Sequence, residues 1–74
     1  MRTMAIKPIA YKNLAGGLGI EIIRFEYGIN DHVVWKFSDE KKYHNSVIYN
    51  TNSGRAYFKY RGSRYYIDDF MRMW

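Results

Sequence analysis

The sequence predicts a small, mainly β (α+β) domain, either an antiparallel sheet or an SH3- or OB-like barrel of five to six short strands, with a short C-terminal helix. Short runs rich in β-branched and aromatic residues recur between turn signals at the roughly 8–12-residue spacing of small all-β domains. Periodicity within those runs is mostly two, the period of a strand with one buried face. Seventy-four residues with 47% hydrophobic and 19% aromatic content give one core, built largely from rings.

Residues 1–12 read as an edge strand or extended arm, because Met4, Ile6 and Ile9 alternate loosely and Pro8 has no amide proton for a ladder. Three glycines among Gly16-Gly17-Leu18-Gly19 follow as a loop or a bent strand entry. This loop lacks the lysine and hydroxyl residue of a Walker loop, and it does not continue as Gly-x-Gly-x-x-Gly. The longest strand spans 18–27. Its apolar phase shifts between Ile22 and Ile23, which predicts a β-bulge there and leaves Glu21, Arg24 and Glu26 toward solvent. Gly28-Ile29-Asn30-Asp31 turns the chain into 32–38, with Val33, Trp35 and Phe37 on one face and His32, Val34 and Lys36 on the other.

A charged loop over 38–45 leads to a short strand at 46–50, and the polar turn Thr51-Asn52-Ser53-Gly54 reverses the chain into 55–60. Arg61-Gly62-Ser63 turns once more into a strand at 64–67. Asp68 then stands where a helix N-cap belongs, ahead of a predicted two-turn helix over 68–74 with Phe70, Met71 and Trp74 as its apolar stripe.

Much chemistry is set aside by composition. There is no cysteine, hence no disulfide and no cysteine-ligated zinc. No serine sits in a Gly-x-Ser-x-Gly elbow, and neither His-x₃-His nor His-Glu-x-x-His occurs around His32 and His44. Asp68 and Asp69 read as capping residues rather than as an acid/base pair. No enzyme, cofactor, metal or small-molecule substrate is expected. No apolar run approaches the ~20 residues that span a bilayer, and Lys7 and Pro8 interrupt any signal-peptide core, so no membrane and a cytoplasmic location are expected.

Charge is the more informative signal. The net charge is +5, and residues 41–67 carry six cations and no acid. Within them, Arg55 to Tyr66 holds four of the eight tyrosines and four of those cations. Strand parity sends Ala56, Phe58 and Tyr60 to the core and Arg55, Tyr57 and Lys59 to the surface, and the turn brings Arg61, Arg64 and Tyr66 alongside. Arg55, Tyr57, Lys59, Arg61, Arg64 and Tyr66, with Lys41 and Lys42 nearby, form the candidate partner-binding face. Cations neutralise phosphates while rings stack on bases, yet tyrosine and arginine also pair with each other on ordinary sheet surfaces.

The segment Gly54-Arg55-Ala56-Tyr57-Phe58-Lys59-Tyr60 looks like part of the ribonucleoprotein signature of RNA-recognition motifs at Ala56, Tyr57 and Tyr60. It departs at Ser53 and Arg55, and two long helices do not fit in the chain, so that family is set aside. In composition alone the chain resembles the small accessory proteins of tailed bacteriophages, which are rich in tyrosine and asparagine, free of cysteine and built from hairpins. That resemblance implies a protein acting by binding, one that inhibits or modulates a host protein or nucleoprotein complex. The expected partner is therefore an acidic protein surface or a nucleic acid, with the chain a monomer or homodimer. A single-stranded nucleic-acid-binding domain and a self-assembling structural subunit are the alternative readings.

Overall fold

The computed structural model describes residues 7–72, which form two antiparallel sheets packed on a shared core. The strands are β1 (Ala10–Asn13), β2 (Gly19–Glu26), β3 (His32–Phe37), β4 (His44–Val47), β5 (Tyr49–Asn50), β6 (Ala56–Tyr60), β7 (Ser63–Tyr66) and β8 (Met71–Arg72). The larger sheet has the order β4-β3-β2-β1-β8, and the smaller the order β5-β6-β7.

The bulge falls where the phase shift places it. Ile22 pairs with Trp35 and Arg24 with Val34, so Ile23 is the extra residue. That insertion returns Phe25, opposite Val33, to the core side. Without it the second half of β2 would turn its apolar residues outward. Ile20, Ile22, Val33 and Trp35 are fully buried, and Phe58 comes down from the small sheet onto Trp35 with ring centroids 5.2 Å apart. Ala10 and Phe70 complete this cluster, flanked by half-buried Phe37, Ile48, Tyr60 and Tyr65.

The chain first crosses from the large sheet to the small one at Ile48. The sequence reads 46–50 as one strand, but the chain divides it, with β4 ending at Val47 and β5 starting at Tyr49. Ile48 donates its amide to the Asp31 carbonyl (2.9 Å) and packs against the core, which turns the chain from one sheet into the other.

Of the expected architectures the open antiparallel form is the one found among the described residues, in eight strands rather than five to six and without the C-terminal helix. Among the described residues there is no closed barrel, since β4, β8, β5 and β7 remain sheet edges. The predicted arm at 1–12 contributes β1, an interior strand between β2 and β8; residues 1–6 lie outside the described region. The C-terminal helix is replaced by a 3₁₀ turn, Ile67–Asp69, and then β8, which pairs Arg72 with Ala10 and Met71 with Tyr11. An extended chain here meets the backbone hydrogen bonds that β1 would otherwise leave open, and a two-turn helix is too short to hold itself. In the extended form Phe70 is buried and Met71 exposed, so they share no stripe; Trp74 lies outside the described residues.

Two local devices fix the edges of the core. Gly19 has no room for a side chain, because a Cβ there would collide with the Tyr11 phenol. The β6–β7 hairpin turns on Arg61 and Gly62, with φ of 50° and 82°, the left-handed pair of a type I′ turn.

Trp35→Ala and Phe58→Ala should each cost about 3–5 kcal/mol, enough to unfold a domain of this size, as chemical denaturation will report. Arg61→Asn should do the reverse. It relieves part of the roughly 1–2 kcal/mol of left-handed strain, with the melting temperature rising by about 4–8 °C per kcal/mol recovered.

Candidate functional site

The outward face of the small sheet is built by register. Tyr49 opposes Tyr57, and Tyr57 opposes Tyr66, so three tyrosines run side by side across β5, β6 and β7. Their ring centroids are 5.6 Å apart (stacked, 28°) and 5.3 Å apart (tilted, 48°). A cation from a neighbouring position covers each ring. Arg55 lies over Tyr66 at 4.2 Å, Arg64 over Tyr57 at 4.9 Å, and Lys59 over Tyr49 at 5.2 Å. Each pair is a cross-strand diagonal, where long side chains reach aromatic faces.

Burial follows. Although Tyr57 points away from the core, only 9% of it is exposed, since two rings flank it and a guanidinium covers it. The Tyr66 hydroxyl, and after it Tyr57, hold the Arg64 guanidinium above the ordinary arginine range.

The structure thus gathers Arg55, Tyr57, Lys59, Arg64 and Tyr66 onto one face. Arg61 departs from the group. From the turn it lies over Tyr60 at 5.4 Å and donates Nε–H to the Tyr60 hydroxyl at 3.2 Å, toward a ring of the core side. Lys41 and Lys42 are exposed in the β3–β4 loop, off the three-stranded sheet. Tyr49 belongs to the ladder and escaped the sequence reading; counting back across the Thr51–Gly54 turn from Tyr57 is the signal that would have found it.

Acids divide the cations. Asp68 and Asp69, which cap no helix, lie 3.9 Å and 3.3 Å from the Arg55 guanidinium. Among the described residues Lys59 and Arg64 have no ion-pair partner, and they stand directly opposite each other across β6 and β7.

A second polar cluster closes one end of the core. His44 stacks on Trp35 (4.4 Å, 23°), and its Nε2 is 2.6 Å from Glu40 Oε1, which also accepts the Phe37 amide at 3.1 Å. Trp35 Nε1–H donates to Ser46 Oγ at 2.9 Å. His32 lies elsewhere, beside the Asn30 carbonyl and opposite Val47. The two histidines therefore do not meet, and no group of three metal-ligating side chains occurs among the described residues.

Comparison with protein-family models, with curated proteins and with solved structures finds no match to this chain. Among the described residues no helix is long and apolar enough to cross a membrane.

The amide of Phe37 above all, with His44 and Lys36, holds the Glu40 carboxyl below its ordinary value against the opposing effect of burial. A lowered carboxylate stabilises the fold above the ordinary glutamate pKa, and that contribution disappears as pH falls through the folded value. Denaturation midpoints measured against pH should therefore fall more steeply on acidification for the wild type than for Glu40→Gln.

Proposed function

We propose that the protein is a non-enzymatic binding module that presents the tyrosine-backed cations of its small sheet to a macromolecular partner. One observation carries this reading: three cation–π diagonals are aligned on a single face, and two of their cations lack an acid. Rings on this face lie outside the main core cluster, so core packing alone does not account for them. What they do is hold long, flexible cations in place before a partner arrives, which lowers the ordering cost of association. The compositional likeness to phage accessory proteins supplies the rest of the reading, a host protein or nucleoprotein complex that binding blocks or redirects.

Charge reversal tests this. Lys59→Glu with Arg64→Glu should leave the chain folded by near-UV circular dichroism, with the thermal melt lowered by several degrees as two exposed cation–π contacts are lost. The same variant should lose the partner retained by wild type in a pull-down from lysate run with and without nuclease. Retention of that partner by the reversed face would refute the proposal.

A further inference from the structure

Lys59 and Arg64 are cross-strand partners, both exposed, and like charges so placed repel each other. Tyr49 and Tyr57 nevertheless hold both cations on the same face, so neither is free to swing away without leaving its ring. The arrangement has the form of an anion site: two positive groups fixed side by side, whose repulsion an oxyanion between them would relieve. The Arg64 guanidinium, 4.9 Å over the Tyr57 ring, carries more N–H donors than its contact with the Tyr66 hydroxyl uses, and the remainder can pair with phosphate oxygens.

The condition of the rings narrows the ligand. Bases stack on open aromatic faces, but Tyr57 is buried, Tyr66 lies under Arg55, and Tyr49, though exposed at its rim, has Lys59 over it and Tyr57 stacked beside it. Bases thus find no continuous platform here, whereas backbone oxyanions meet cations directly.

Charge complementarity selects the polymer. On this face Lys59 and Arg64 stand side by side with no ion-pair partner among the described residues, which suits a backbone of repeated single negative charges. The carboxylates on this face, Asp68 and Asp69, lie against Arg55, and the Lys59–Arg64 pair is left for an anion from outside the chain.

We infer that Lys59 and Arg64 form a phosphate site for a nucleic-acid backbone, with the tyrosines supporting the cations from behind rather than stacking on bases. This rests on the binding face proposed above. The site is indifferent to base sequence and to strandedness, and Lys59 and Arg64 set its salt dependence.

Fluorescence anisotropy tests it with a labelled duplex of about 20 base pairs, single strands of mixed sequence and of thymine only, and polyglutamate, each titrated from about 25 to 200 mM salt. All three nucleic acids should bind within about threefold of one another, with log K falling against log salt at a slope of about −1.8 for the duplex and about −1.4 for the single strands. Lys59→Ala and Arg64→Ala should each flatten that slope by about one, while Lys59→Arg and Arg64→Lys keep it. Near-UV circular dichroism matching wild type establishes that each variant is folded. The inference is overturned if nucleic acid does not bind at the lowest salt, if the slope ignores both alanine variants, or if binding depends on base identity. Polyglutamate, or a nuclease-resistant partner, bound through the same two residues without nucleic acid overturns this inference and leaves the binding face intact. Failure of every probe, with a partner that survives charge reversal, removes both.

Discussion

The rest of the molecule depends on Trp35. Its indole lies in the large sheet, meets Phe58 and Tyr60 from the small one, stacks on His44, and donates its only N–H to Ser46 on the neighbouring strand. One side chain thus joins both sheets and anchors the β3–β4 loop through the His44–Glu40 contact. A fully buried indole contributes more area than any other residue, and a domain this small has few residues with which to replace it.

With Trp35 and Phe58 filling the core, the outer side of β6 is left to other uses. Period two makes β6 two-faced: Phe58 and Tyr60 look inward, Tyr57 and Lys59 outward. The small sheet is consequently aromatic on both sides, with the inner rings supplying cohesion and the outer rings supporting cations. Arg55 is where the two sides connect, since its carboxylate partners belong to the turn that leads Phe70 into the core. The candidate face is thereby fixed to the same framework as the hydrophobic cluster.

Much of this was legible in the residues themselves. The phase shift at Ile22-Ile23 marked the bulge, the parity of 55–60 divided core from surface, and the paired turn residues located the hairpins, because each signal is local and physical. What escaped reading depends on distant partners. Residues 71–72 become a strand only because β1 has an open side, a fact that nothing near Asp68 or Met71 reveals. Ile48 divides an apparently continuous strand because Asp31, seventeen residues earlier in sequence, accepts its amide. Among the site residues, parity placed Tyr57 correctly on the outer face but gave no sign of its burial, which requires Tyr49, Tyr66 and Arg64 to converge from two other strands.

The pairing of β8 with β1 also orders events in time. Ala10 meets Arg72 across nearly the whole described chain, whereas β2, β3 and β4 join neighbour to neighbour. Long-range closure of this kind is slow compared with hairpin formation. Until β8 pairs, the large sheet has β1 as an uncovered edge, and an uncovered edge recruits strands from other chains. The two residues of β8 replace the four-residue β1 edge with a two-residue one, so shortening the chain at this point would affect aggregation more than the geometry of the finished fold.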